Sequence, residues 1–433
     1  MVWFNTFASG VGKPSGSGAP FMTAPGVFDP TTLGHLSRYA LVMTNVTPSS
    51  NYDNDNWGWV AQLRALNPKT KLLAFESLQW RYQNTNHMLA DLWNIVLGTE
   101  PGGSGAERMI RINGGAQNGL PFPSGNTGKV WWDVTQNNGA NVLRDLWIAR
   151  VMNHGLDGVF FDTCVSSLYN DEGQTPNFGA KGYGSQAAME AALATASGAL
   201  IDALRAYGGV WGNMGYWLAT ETMKRKATGE LLEYWDPGQG ATGAPDLPGF
   251  GWFANFDAAM THLCTWQGSD PTGDGTVMLK TENAAGLSDY ADGTGPTNAT
   301  WRKLNRYSLA CATIAGGYHH HGKGADGQSS DTIYDIGDEW SVDIASGQCM
   351  KDNAHMGWLG RPTEFGSMYA SGLWVRRFQN GIVVVNGPSV SRTITFEKPY
   401  KRLTGTWETT INNGATVSSD TIPSKDGRFY VNV

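Results

Sequence analysis

Cysteine is scarce in this chain. There are four in 433 residues, at Cys164, Cys264, Cys311 and Cys349. They lie far apart and none forms a Cys-x-x-Cys pair, which argues against a disulfide framework or a cysteine metal site and leaves buried free thiols. No block of like charges occurs, and the net charge is −7. A basic nucleic-acid footprint and a membrane-surface patch are therefore not expected. No apolar run approaches the length of a membrane span. No Gly-x-Gly-x-x-Gly follows the first strand candidate, which weakens a dinucleotide-binding reading. The opening MVWFNTFASGVGKPSGSG has no basic stretch leading into an apolar one, so it is not expected to be a secretory signal. The expectation is a protein made in the cytoplasm that needs some other route to extracellular material.

Glycine and tryptophan are abundant, at 56 and 18 residues. So many glycines imply many turns and long loops. The tryptophans belong either to the core or to a sugar-binding cleft, where an aromatic face packs on the apolar face of a pyranose. The length suits one large domain followed by a small one.

Residues 1–35 are rich in Gly, Ser and Pro and read as an irregular N-terminal arm. A rhythm then begins. Strand candidates are YALVMTN (39–45), KLLAFES (71–77), KVWWDVT (129–135), GVFFDT (158–163), VWGNMG (210–215), ELLEYWD (230–236), TVMLKTE (276–282) and GYHHHG (317–322). Helical spacing fills most of the gaps, at 57–68, 87–98, 141–155, 185–209, 255–266 and 299–317. In the longest of these, Met189, Leu193, Leu200 and Leu204 share a face. Gly155 suits a left-handed cap on the helix before it. Eight strands alternating with helices predict an α/β fold, a (β/α)8 TIM barrel over residues 36–366. From residue 367 to 433 short alternating runs are separated by Asn-Gly, Gly-Pro and Asp-Gly. They predict a small C-terminal antiparallel β-sandwich domain.

In such a barrel, chemistry gathers where the strands end. The predicted strand ends carry Asn45, Glu76, Asp133, Asp162, Asn213, Glu233 with Asp236, Glu282, and His319 to His321. The stretch GLDGVFFDT is the clearest case: an apolar run ends directly on a carboxylate. A carboxylate buried there without partners would cost several kcal/mol. Either Asp162 caps the loop that follows or it works at the mouth of a site. Asp157, in the same stretch, suits the turn into the strand. Five strands ending on acids suggest a shared acidic pocket. Two carboxylates flanking a bond suffice for glycoside hydrolysis; binding Mg²⁺ or Ca²⁺ is the rival use of clustered carboxylates. For zinc, at most two of the three consecutive histidines share a strand face, so no metal or other cofactor is expected.

These residues also carry a resemblance. GLDGVFFDT after an amphipathic helix, with WWDVT, GNMG and LLEYWD on flanking strands, resembles glycoside-hydrolase-like TIM barrels of the hypothetical glycosyl hydrolase family 15 type. IYDIGDEWSVDIASGQ resembles that group's acidic loop after strand eight, and WVRRFQNGIVVVNGP resembles its C-terminal β domain. The resemblance covers residues 36 to 433. It implies an acid pair of Asp162, as nucleophile or base, and Glu233, as general acid. It makes Glu76, Asp133, Asn213, Trp235, Asp236, Glu282, His319 and His320 candidate substrate-binding residues. The implied substrate is a polysaccharide or oligosaccharide, such as a cell-surface or capsular glycan, with no nucleic-acid or membrane partner. The alternative is a non-catalytic carbohydrate-binding or structural component of a phage or phage-like particle, which would join other virion proteins through the N-terminal arm.

Overall fold

The computed structural model describes residues 2–5, 22–24, 27–28, 33–34, 37, 40–45, 58–77, 80–82, 129–131, 133–136, 139–162, 175–212, 227–232, 253, 255–269, 276–281, 299–321, 337–350, 352, 354–387 and 390–433. The chain divides into two compact units, Trp3–Leu231 and Leu232–Val433, with Met1–Val2 counted in the latter.

In the first unit the sheet runs β1 (Val2–Asn5), β4 (Leu41–Asn45), β5 (Lys71–Ser77), β8 (Gly158–Asp162), β9 (Gly209–Gly212) and β10 (Gly229–Leu232), and the strands from β4 to β10 pair in parallel. Helices α1 (Gly58–Leu66), α2 (Gly139–His154) and α3 (Gln186–Arg205) connect them. Two antiparallel pairs lie outside this sheet: β2 (Met22–Ala24) with β3 (Val27–Phe28), and β6 (Trp80–Tyr82) with β7 (Lys129–Trp131). Two expectations change here. The segment read as an irregular arm contains three strands, one of them in the main sheet. KVWWDVT supplies a strand to a separate antiparallel pair rather than to the barrel wall. The two changes offset each other, so GVFFD remains the fourth strand.

The strands form because they are buried on both faces, which suits unbroken apolar runs. Val159, Phe160 and Phe161 are all buried. Phe161 meets Trp147 of α2 edge-on, with ring centroids 5.8 Å apart. That contact marks the helix side of the sheet, and each such side chain contributes about 1.5–3 kcal/mol on burial. Gly155 ends α2 at φ 66, with Leu156 N donating to Val151 O. Asp157 then makes the turn: its Oδ2 accepts from Leu72 N at 2.7 Å and from Arg64 Nη2 at 2.9 Å. Helix α3 begins at Ser185, whose side chain accepts from Ala188 N, and buries Met189, Leu193, Leu200 and Leu204. By length and mean hydropathy α3 could also cross a membrane; its buried stripe is that of a core helix.

In the second unit α4 (Phe256–Ser269) precedes β11 (Thr276–Thr281), and α5 (Ala299–Ala315) precedes β12 (Tyr318–His321). The last two strands pair in parallel, Leu279 opposite His319 and Lys280 opposite His320. A small hairpin follows, β13 (Val342–Asp343) with β14 (Gln348–Cys349). The rest is one six-stranded antiparallel sheet in the order β15 (Ser367–Ala370), β16 (Leu373–Phe378), β17 (Gly381–Asn386), β20 (Asp426–Asn432), β18 (Arg392–Arg402), β19 (Thr416–Ile422). Its alternation serves two cores. Trp374, Val383, Val385, Phe429 and Val431 pack with α4 and α5, while Leu373, Val375, Ile382, Val384 and Tyr430 pack with Ile394, Phe396, Tyr400 and Ile422. A register break in the long strand β18, between Thr395 and Tyr400, accompanies this second core. The architecture is a (β/α)8 barrel with a C-terminal antiparallel β domain.

Candidate functional site

Toward the start of β8 and β9, away from Asp162, the sheet carries a large buried side chain. Trp211 is 1 % exposed, and its indole folds back over Gly209: a Cβ at Gly209 would lie 2.2 Å from two ring carbons. A Cβ at Gly158 would lie 1.9 Å from Gly209 O, so glycines here let β8 and β9 approach. The Lys71 ammonium stands 5.7 Å from the Trp211 ring centroid, within cation–π reach. Trp211 is level with Phe160, and Phe160 with Phe75.

Asp162 is the last residue of β8, level with Ser77. Phe161 faces helix α2, so positions 160 and 162 belong to the opposite strand face by the two-residue repeat. Glu76 is level with Phe161, which assigns position 76 to the helix side. Asn213, Glu233, Trp235, Asp236 and Glu282 lie outside the described residues, as do the proposed helix at 87–98 and Cys164. Glu230, not singled out from the sequence, is fully buried on β10 and level with Gly212.

In the second unit, His319 is 1 % exposed and level with Leu279, which packs against α4 and α5. His319 thus belongs to the layer between strands and helices. His320 occupies the other face, level with Lys280. The acidic run after β12 is structural where it is described. Asp338 accepts hydrogen bonds from Thr406 N, Trp407 N and Glu408 N. Asn412 Nδ2 donates to both Asp338 and Glu339. Burial raises the Glu339 carboxyl above its ordinary pKa. Arg306 of α5 is 2 % exposed and pairs with Asp426 at 2.7 Å and with Glu408.

Asp133 is fully buried, and among the described residues its hydrogen-bond partners include no cation. Its Oδ1 accepts from Thr135 N at 2.9 Å and Thr135 Oγ1 at 2.5 Å. Its Oδ2 accepts from the Tyr183 hydroxyl at 3.1 Å and from Gln136 Nε2 at 3.3 Å. The Thr135 and Tyr183 hydroxyls also lie within hydrogen-bond distance of each other, so their two protons serve three contacts. Burial, and after it the neighbouring Asp133 charge, raises the Tyr183 pKa, so the phenol stays a donor. Thr135, Gln136 and Tyr183 were not singled out from the sequence, although Asp-x-Thr just before a helix is an Asx-turn signal. Among the described residues no group of three or more His, Cys, Asp or Glu gathers as a metal site.

No protein-family model matches the chain, and no curated protein matches it. The narrower likeness to hypothetical glycosyl hydrolase family 15 has no support there. Solved structures do match in fold. The chain is similar to the trehalose-6-phosphate hydrolase TreA of Bacillus licheniformis, at 10 % identity and TM-score 0.52, covering 100 % of this chain and 98 % of that one. It is similar to the trehalulose synthase MutB of Pseudomonas mesoacidophila MX-45, at 9 % identity and TM-score 0.52, covering 100 % and 98 %. The isomaltulose synthase PalI of Klebsiella sp. LX3 matches at 10 % identity and TM-score 0.51, covering 99 % and 97 %. At these identities the likeness establishes the fold.

Proposed function

We propose that this chain is a glycoside hydrolase acting on an oligosaccharide or polysaccharide, with Asp162 and Glu233 as its acid pair. The observation that carries the reading is the placement of Asp162. It ends the fourth strand of a parallel barrel sheet, at a position on the strand face away from the helices, and the buried Trp211 packs on that face toward the start of the strands. Reactive groups in this fold belong at strand C-terminal ends. The named activities of TreA, MutB and PalI, all on sugars, support the same substrate class.

The chemistry follows from two carboxyl groups in opposite protonation states. Glu233, protonated, donates its proton to the glycosidic oxygen as that bond breaks. Asp162, ionised, either attacks the anomeric carbon or takes a proton from the attacking water. If a glycosyl ester forms, Glu233 then deprotonates the water that releases it. Asn213, Trp235, Asp236, Glu282 and His320 are proposed to line the sugar subsites. Placement on the helix side argues against a direct substrate role for His319.

The test is hydrolysis of a panel containing bacterial surface polysaccharides, trehalose 6-phosphate, trehalulose and isomaltulose, with wild type, Asp162→Asn and Glu233→Gln side by side. Loss of at least about a thousandfold in kcat in both variants, with unfolding transitions unchanged, is expected. Glycan binding without cleavage by wild type would replace this reading with a non-catalytic carbohydrate-binding one.

A further inference from the structure

Asp133 stands among the sequence's candidate substrate ligands, but its surroundings assign it different work. The geometry points to Asp133 as a positioning residue, which through Tyr183 fixes the chain that returns from Asp162. This inference rests on the hydrolase reading for its kinetic consequence.

Chain order supplies the argument. Helix α2, strand β8 and helix α3 follow one another. In a parallel α/β unit each helix starts on the side where the strands end. The turn Asp133–Gln136 lies just before α2, and Tyr183 lies three residues before α3 begins. The tie between them therefore joins the starts of the helices on either side of β8, on the side where Asp162 ends that strand. The tie has two parts: the Tyr183 hydroxyl, whose single proton is shared between Asp133 Oδ2 at 3.1 Å and the Thr135 hydroxyl, and Gln136 Nε2, which donates to Lys181 O at 3.3 Å. Local backbone aims the phenol. A short 3₁₀ turn at Gly179–Lys181 ends on Gly182 at φ 81, a left-handed conformation that favours glycine.

A buried carboxylate held only by neutral donors is a costly arrangement. Three of the four donors lie in its own turn, which aims the carboxylate, and the fourth, the Tyr183 hydroxyl, comes from the loop that it joins. Both ends of the β8–α3 connection are then fixed, one by the sheet at Asp162 and the other by the tie at Tyr183.

The test compares full-length wild type with Tyr183→Phe, Thr135→Val and Thr135→Ser. Amide hydrogen exchange is read over 175–185, with 186–205 as an internal control. The phenylalanine and valine variants are expected to raise exchange in 175–185 about tenfold, as loss of a hydrogen bond to a carboxylate would, and Thr135→Ser is expected to restore it. On the glycan that wild type cleaves, kcat falls about tenfold and KM less than twofold. Unchanged exchange overturns the inference. Raised exchange with unchanged kcat also overturns it, leaving a purely structural tie. A wild type that cleaves nothing counts against the hydrolase reading instead. The inference is then judged by exchange together with glycan affinity: weakened affinity in Tyr183→Phe supports it, and unchanged affinity overturns it.

Discussion

Gly209→Ala tests the packing of Trp211. The substitution demands no unusual backbone angle, since Gly209 is not among the positive-φ glycines. Its whole effect comes from one methyl group, placed 2.2 Å from Cζ3 and Cη2 of Trp211. Ordinary carbon contacts lie at about 3.5–4.0 Å, so the ring must move by more than about 1 Å. It has little room, being 1 % exposed. Overpacking of this kind costs about 1–3 kcal/mol, and full displacement of a buried tryptophan about 3–5 kcal/mol. The expected loss is about 3 kcal/mol, read as a lower urea midpoint by far-UV circular dichroism. Trp211→Val supplies the control: it is itself destabilising, but it removes the obstacle, so adding Gly209→Ala should then cost less than about 1 kcal/mol. The expected coupling is about 2 kcal/mol. A single variant within about 0.5 kcal/mol of wild type, or an equal cost in both backgrounds, would refute the packing described for Trp211.

Two further predictions concern the C-terminal unit. Arg306→Met removes a buried guanidinium but leaves Asp426 with Arg428 at 2.7 Å and Glu408 with Arg302 at 2.7 Å. The loss should be about 2–3 kcal/mol, less than for a buried pair left wholly uncompensated, and a midpoint equal to wild type would count against the network. The Arg377 guanidinium, donating to both oxygens of Glu397, holds that carboxyl at about 2, below the usual value of about 4.3. A depressed carboxyl stabilises the fold above its unfolded pKa, and that stabilisation is lost as pH falls toward 2. Glu397→Gln should therefore flatten the acid limb of thermal stability between pH about 4.5 and about 2; an unchanged limb would show that the pair contributes nothing.

Much of this fold was legible because burial leaves a mark on composition. GVFFD, the α3 stripe and the Gly155 cap all follow from rules that act within a few residues. The hairpin at Gln379–Asn380 formed where Asn-Gly announced it, with Phe378 opposite Gly381. Direction of pairing leaves no such mark. KVW has the apolar character of a barrel strand, yet it lies antiparallel to Trp80–Tyr82. VWFN was hidden by its brevity and by the Gly/Ser/Pro-rich stretch after it. Asp426-Gly427 reads as a turn, but both residues belong to β20. Asp426 is there to meet Arg306, and Gly427 is there because helix α5 lies on it: a Cβ would sit 2.5 Å from that of Ala310. Contacts across a hundred residues decide such positions, and local pattern cannot report them. Tryptophans 59, 147, 211, 358 and 374 are likewise buried core residues, while Trp340 and Trp407 are half-buried.

Register is what separates the candidate carboxylates from one another. Read as strand ends alone, Glu76 and Asp162 look equivalent, since both follow an apolar run on a barrel strand. The pairing sets Glu76 level with Phe161, and Ser77 level with Asp162. One residue of offset is enough to exchange the two faces of a strand. Phe161 is committed to helix α2 through Trp147, so the helix side is already identified by packing. The same logic divides the histidine run, because Leu279 commits position 319 to the helix layer and leaves 320 to the other face. An acidic strand end is therefore a weak sign of chemistry until its parity is known. Asp162 keeps its candidacy because its parity matches that of Phe160 and of Trp211, whose indole folds back over Gly209 toward the start of the strands.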